Sequence, residues 1–266
     1  MDAPQQRAVP SRPVVLVTGA AKRLGRAISL ELGSHGWDVA VHHRRSQAEA
    51  ADVVAALESA GARAASFAAD LGDEAACAAL VPAVVARLGR VDAVVNNAST
   101  FEHDDVSTFS YDAMDRHWRA NTAPAIVLAR ALHEHLAGSA LTGCVVNLLD
   151  QKLWNPNPDH LSYTLSKAAL QAATIVLAQA LAPKVRVCGV APGVTLPSGP
   201  MRDAEFAVAH QLTPLGKSST PADVAGAVRY LLSAPAVTGA TLLVDGGQHL
   251  SAQPRDVYYL ATPETT

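Results

Sequence analysis

Seven short apolar runs, spaced so that a helical pattern fits between successive ones, constrain this chain more than any other feature. They are Val14 to Thr18, Val39 to Val41, Ala64 to Ala68, Ala93 to Val95, Cys144 to Leu149, Val185 to Val190 and Thr241 to Val244. Most are apolar at every position instead of every second one, which suits strands covered on both faces. Helices lying on both sides of a parallel sheet meet that demand. The expected fold is α/β, a single doubly wound domain with a seven-stranded parallel sheet. At 266 residues, 49% of them hydrophobic, the chain is long enough to bury one substantial core.

The boundaries follow from composition. Residues 1–12 are polar, contain two prolines and read as a flexible arm. The domain is expected at 13–250 and includes a loop at 194–215 whose Pro/Gly-rich start follows the sixth strand, where such sheets place substrate loops. Residues 251–266 form a C-terminal tail, expected to order at a subunit interface. A net charge of −3 with no basic block gives no electrostatic footprint for nucleic acid, and no segment suggests a membrane surface. Ala168 to Pro183, uncharged but carrying Gln171, Thr174 and Gln179, is too short and polar to span a bilayer. A small-molecule substrate is the expected partner. Cys77, Cys144 and Cys188 fit buried thiols in a reducing, cytoplasmic setting. The pairs His42–His43 and His133–His135 lack completing ligands, so no metal site is expected, and the second pair reads as helix surface.

The first strand runs into Thr18-Gly19-Ala20-Ala21-Lys22-Arg23-Leu24-Gly25, a small-residue turn that opens a helix. Backbone amides at such a helix start can bind a diphosphate, as in Rossmann-type domains. Gly19, Lys22, Arg23, Leu24 and Gly25 are therefore candidate cofactor residues, with an ordinary strand-to-helix turn as the alternative. The second strand ends in His43, Arg44, Arg45 and Ser46, and no acid follows until Glu49. A binder of the unphosphorylated dinucleotide would place Asp or Glu there; guanidinium groups and a hydroxyl suit a 2′-phosphate and favour NADPH. The alternative is a solvated helix start.

Tyr163 precedes Lys167 by four residues, which places both on one helix face, one turn apart. A lysine cation there would favour the phenolate and lower the tyrosine pKa, a device for proton transfer. Asp150 lies thirteen residues upstream. Farther along the same helix, Leu170, Ile175, Val176, Leu177 and Leu181 cover most of the circumference. That pattern predicts a helix buried on nearly all sides, by the domain core or by a second subunit.

Taken in order, Thr18-Gly19 through Gly25, Asn96-Asn97-Ala98, Asn121, Tyr163 with Lys167, and Pro192-Gly193 resemble the short-chain dehydrogenase/reductase family from about Pro13 to Gly247. The resemblance implies Tyr163 as general acid, Lys167 as the group that tunes it and holds the nicotinamide ribose, and Asn121 as support for a proton-relay water. It implies Asn97 and Ala98 beside the adenosine and ribose, and Asp70 and Leu71 beside the adenine. Pro192, Gly193, Val194 and Thr195 would lie at the nicotinamide end. A homotetramer is implied as well. The departures narrow the resemblance: Asp150 stands where most members have serine, and Arg23 where most have glycine. Together with Arg45-Ser46, the stretch Asn96 to Phe101 and the ending Asp245 to Leu250, they are similar to pteridine and dihydromonapterin reductases. That similarity implies that Arg23 reaches cofactor phosphate and pterin, Ser99 contacts both ligands, Phe101 stacks on the pterin and Asp150 partners Tyr163.

Chemistry gives Asp150 a reason. An ionised carboxylate beside a developing alkoxide repels it, at a cost of a few kcal/mol for an effective dielectric near 20. Reduction of a ring C=N bond instead requires a proton on nitrogen, which a carboxyl coupled to Tyr163 can sustain. The expected activity is NADPH-dependent hydride transfer to a pterin C=N bond. A short-chain carbonyl reductase acting on a ketone, quinone or 3-oxoacyl substrate stays open, as does a non-catalytic NADPH-binding regulator. Asp150 could equally cap a helix, Phe101 close a hydrophobic corner, and Arg23 serve as a pure phosphate ligand.

Overall fold

A computed structural model of the protein describes residues 12–198 and 201–261. Most of the expected arm, two residues of the 194–215 loop and the last five of the tail lie outside the described residues. Arg12, the last residue of that arm, is anchored: its guanidinium donates to the carbonyls of Gly61 and Gly33 at 2.6 and 2.7 Å.

Strands and helices alternate from the start. β1 (Val14–Val17) leads to α1 (Arg23–Ser34), β2 (Asp38–His43) to α2 (Gln47–Ser59), and β3 (Ala64–Ala68) to α3 (Glu74–Leu88). After β4 (Ala93–Asn96) come α4 (Tyr111–His117), a π-helical turn at Trp118–Thr122 and α5 (Ala123–Leu136). β5 (Gly143–Leu148) precedes α6 (Leu161–Ala180), and β6 (Val185–Pro192) precedes α7 (Asp203–Gln211) and α8 (Pro221–Ser233). β7 (Thr241–Val244) and α9 (Val257–Ala261) complete the order. All seven expected strands are present in one sheet, ordered β3-β2-β1-β4-β5-β6-β7 with every neighbouring pair parallel. β3 and β7 match their expected bounds. β2 begins earlier, at Asp38, because that buried carboxylate is satisfied by Arg63 Nε at 2.7 Å and by the Arg63 backbone N–H at 2.9 Å.

The continuous apolar runs are explained by two cores. Val15 and Val17 of β1 face Ile28, Leu32, Val53, Val228 and Leu231 on one side of the sheet. Val14 and Leu16 face Leu80, Val84, Leu128 and Leu132 on the other. Cutting a fully buried residue such as Leu132 back to Ala costs roughly 2–5 kcal/mol. Between β1 and β4 the order of the strands reverses, and the crevice beyond their carboxyl ends is where a sheet of this kind binds ligands.

Within one chain, α6 is covered on its inward face only. Ser162, Tyr163, Ser166, Lys167, Leu170, Thr174 and Ala178 are buried, but Leu165, Ile175 and Val176 are 46%, 49% and 61% exposed. The inward stripe is small and polar because it carries the site, and the chain's own core leaves the apolar outer stripe uncovered. The three cysteines are free and buried. Among the described residues no helix is long and apolar enough to cross a membrane, and no cluster could hold a metal ion. His135 is less superficial than expected, since its Nε2 accepts the Val91 amide at 3.3 Å.

Candidate active site

At the crevice end nearest β1, backbone geometry dominates. Gly19 has φ +61, and a Cβ on Gly25 would collide with the Gly19 carbonyl oxygen, so the turn closes only with glycine at both positions. Thr18 Oγ1 accepts the amides of Asn97 and Ala98 at 2.9 and 3.0 Å, which ties the end of β1 to the turn after β4. Asn97 Nδ2 returns the tie by donating to the Thr18 carbonyl at 2.9 Å. His42 braces the same turn: its Nδ1 accepts the Gly19 amide and its Nε2 faces the Ala69 carbonyl, both at 3.1 Å. Those partners assign the neutral tautomer, and burial pushes the His42 pKa down to about 4. The start of α1 has no side-chain cap and no acid in its first turn. Its amides are thus left for an anion, which fits a dinucleotide diphosphate.

Arg23 occupies this turn at φ +51, the left-handed region, which costs a non-glycine residue about 1–2 kcal/mol. That conformation is why glycine suits the position. In exchange the guanidinium crosses the crevice and donates to the Pro197 carbonyl at 2.6 Å, bordering the same cavity as Tyr163. Lys22 pairs with Glu49 at 2.5 Å, so the first acid beyond β2 is held by a candidate cofactor residue. Arg44 and Arg45 are exposed, Ser46 precedes α2, and His43 is buried. Asp70 accepts the Gly72 amide at 3.0 Å and Leu71 packs on the core; neither borders the cavity at Tyr163.

At the other end of the crevice, side chains dominate. Asp150 follows β5 and does two things at once. One carboxylate oxygen accepts the Lys152 amide at 2.8 Å and caps a short 3-10 turn, and the other accepts the Tyr163 hydroxyl at 2.7 Å. The capping and partnering alternatives thus coexist. Burial raises the Asp150 pKa, outweighing the hydrogen bonds that favour its charge.

Tyr163 is the main correction. Burial, and then the Asp150 carboxylate, hold its pKa well above the ordinary tyrosine value, so it is kept as a phenol. The expected lowering by Lys167 fails for a geometric reason. Lys167 Nζ stands 5.8 Å from the centre of the tyrosine ring and donates to the Leu148 carbonyl at 2.6 Å, and burial lowers its own pKa to about 8. A carboxylate touches the hydroxyl; the cation does not.

Phe101 lies edge-on to Tyr163 at 4.7 Å and stacks on His160 at 4.1 Å, with 40% of its surface exposed at the cavity. It presents an aromatic face instead of closing a corner. Asn121 sits on the π-helical turn with its side chain spent: Oδ1 accepts from Ser99 Oγ and the Thr100 amide, and Nδ2 donates to the Thr100 carbonyl and Ser166 Oγ. This ties the Ser99–Thr100 turn to α6 and leaves the side chain no capacity for a relay water. Pro192 ends β6, Gly193, Val194 and Thr195 follow it along the cavity, and Thr195 Oγ1 bonds Ser219 Oγ at 2.7 Å. The cavity, about 300 Å³, thus joins Arg23, Phe101, Asp150, Tyr163, Lys167 and Thr195.

Through residue 261 the tail packs on its own chain. Arg255 binds the Asp159 carboxylate at 2.8–3.0 Å, the Asp256 amide donates to it at 2.7 Å, and Lys152 Nζ lies 3.6 Å from Asp256. Val257 packs with Ala209, Val194 and Met201. Gln151, Lys152, Gln248 and Asp256 consequently border the cavity, and sequence reasoning assigned none of them. No short-range pattern joins them, since they meet through pairings across almost a hundred residues; the opposite charges of Asp159 and Arg255 were the available signal.

Comparison with known proteins agrees with this geometry. The family described as enoyl-(acyl carrier protein) reductase matches residues 19–249. An uncharacterised oxidoreductase of Methylorubrum extorquens is 33% identical over 243 residues, 88% of this chain and 96% of that protein. The 3beta-hydroxysteroid dehydrogenase 1 of Eggerthella lenta is 32% identical over 245 residues, 89% of this chain and 93% of that protein. Among solved structures, FolM alternative dihydrofolate reductase 1 from Brucella canis, complexed with NADP, is 38% identical with a TM-score of 0.84, covering 90% of this chain and 95% of that one.

Proposed function

The chain belongs to the short-chain dehydrogenase/reductase family, and from that premise we propose that it is an NADPH-dependent reductase of a pterin C=N bond. The observation that carries this reading is the 2.7 Å hydrogen bond from the Tyr163 hydroxyl to Asp150. The 38% identity to a dihydrofolate reductase crystallised with NADP supports it. The uncapped start of α1 and the Arg44-Arg45-Ser46 segment suit a phosphorylated dinucleotide. When bound, NADPH supplies the hydride.

The chain's own residues manage position and protons. Phe101 offers a face for a flat heterocycle and Arg23 closes over it toward Pro197. Tyr163, kept protonated by burial and Asp150, donates to the ring nitrogen as charge develops there. Asp150, its pKa raised by burial, takes up a proton from solvent water after Tyr163 has given its own and passes it back along the Tyr163–Asp150 hydrogen bond. Lys167, pinned by the Leu148 carbonyl, is assigned to the nicotinamide ribose. We assign the outer apolar stripe of α6 to contact with further copies of the chain in a homotetramer.

Carbonyl reduction is the second reading, favoured by the 32% identity to a hydroxysteroid dehydrogenase. The test is NADPH oxidation with dihydropterins, dihydrofolate and simple ketones side by side. Dihydropterin turnover well above ketone turnover is expected; the reverse order supports the carbonyl reading. NADPH binding without turnover of any of them would point to a regulator.

A further inference from the structure

Away from the Tyr163 hydroxyl, the cavity has polar groups that the proton chemistry does not use. Gln151 and Gln248, 7% and 1% exposed, both border it, and each keeps a buried side-chain carbonyl oxygen without a hydrogen-bond partner. Buried acceptors are costly to leave unpaired, and these two border the same cavity. The Gln248 amide has a defined orientation. Its Nε2 donates to Gln253 Oε1 at 3.2 Å, an oxygen that Asn155 Nδ2 also approaches at 3.5 Å, so the nitrogen end is spent and the oxygen end remains. The charges nearby are already balanced: Lys152 donates to the Asp159 carbonyl and pairs with the Asp256 carboxylate. Gln248 has only acceptor capacity left to offer and Gln151 keeps an unpaired carbonyl oxygen, and a hydrogen-bond donor completes each.

Building on the pterin reading, we infer that Gln151 and Gln248 form a donor-recognising subsite that binds N–H or O–H groups of the substrate away from the reacting bond. Two parts of a reduced pterin carry such groups, the aminopyrimidine edge and a hydroxylated substituent. An anionic substituent would meet carbonyl and carboxylate oxygens there, which selects against it.

The experiment titrates the NADPH-loaded protein and its Gln151→Met and Gln248→Met variants with two probes, a dihydropterin bearing a hydroxymethyl group and its methyl counterpart. Methionine keeps the length and removes the acceptor. Each variant is expected to bind the hydroxymethyl probe about tenfold more weakly, with NADPH affinity unchanged as the check on folding. Weakening with both probes assigns the subsite to the ring edge; weakening confined to the hydroxymethyl probe assigns it to the substituent. Unchanged affinity for both probes in both variants overturns the inference alone. A wild-type protein that binds neither probe overturns the inference together with the pterin reading. The two variants are independent, so either decides the matter if the other fails to hold NADPH.

Discussion

At the β1–β4 end of the crevice the chain works with backbone: Gly19, Gly25, the Thr18 ties to Asn97 and Ala98, and the His42 brace. At the β5–β6 end it works with side chains drawn from distant segments, Asp150 to Tyr163 across 13 residues and Arg255 to Asp159 across 96. The first kind of construction presents amides to any dinucleotide phosphate and says little about the second substrate. The second sets charges and donors in specific places, and chemistry and selectivity are written there. Perturbations at the two ends should therefore separate cleanly into cofactor and fold effects on one side and turnover and selectivity effects on the other.

The largest expected effect is at the side-chain end. Tyr163→Phe keeps the ring against Phe101 but removes the proton donor, so kcat should fall by about 10²–10⁴ while NADPH affinity stays near wild type. Parallel loss of both would break the separation. Next comes His42 at the backbone end. The unfolded chain takes up this proton near 6.5 and the folded one only near 4, so acidification through that window favours unfolding, by up to roughly 3 kcal/mol. Denaturant titrations across that range should show the loss, and His42→Asn should flatten it. A smaller effect is expected from Arg255→Ala, which frees the tail from Asp159 without touching Tyr163. KM for the second substrate should rise about fivefold with kcat little changed, because the tail's Asp256 and Val257 border the cavity.

What the sequence made legible divides along the same line. The seven strands could be read because apolar residues covered on both faces leave unbroken runs, and β3 and β7 fall where those runs do. Gly19 and Gly25 could be read because a tight turn imposes its demand locally. Asp150, Tyr163, Arg23 and Phe101 do converge on one cavity. The protonation of Tyr163 was misjudged, since helix spacing shows that Lys167 shares its face but not which charge touches the hydroxyl. The Gln151–Gln248 wall and the latched tail escaped notice because their partners are close only after folding. The apolar residues around α6 mark its outer face as one that suits a cover, and apolar character alone does not say what supplies it.

The most direct test of the central claim, that Asp150 suits this site to a C=N bond in place of a carbonyl, is kcat/KM for a dihydropterin and for a simple ketone with wild-type protein and Asp150→Ser. The account predicts a loss of about a hundredfold on the dihydropterin and a gain on the ketone, as a hydroxyl donor replaces a charge that repels the alkoxide. Retained dihydropterin turnover with no gain on ketones would contradict it.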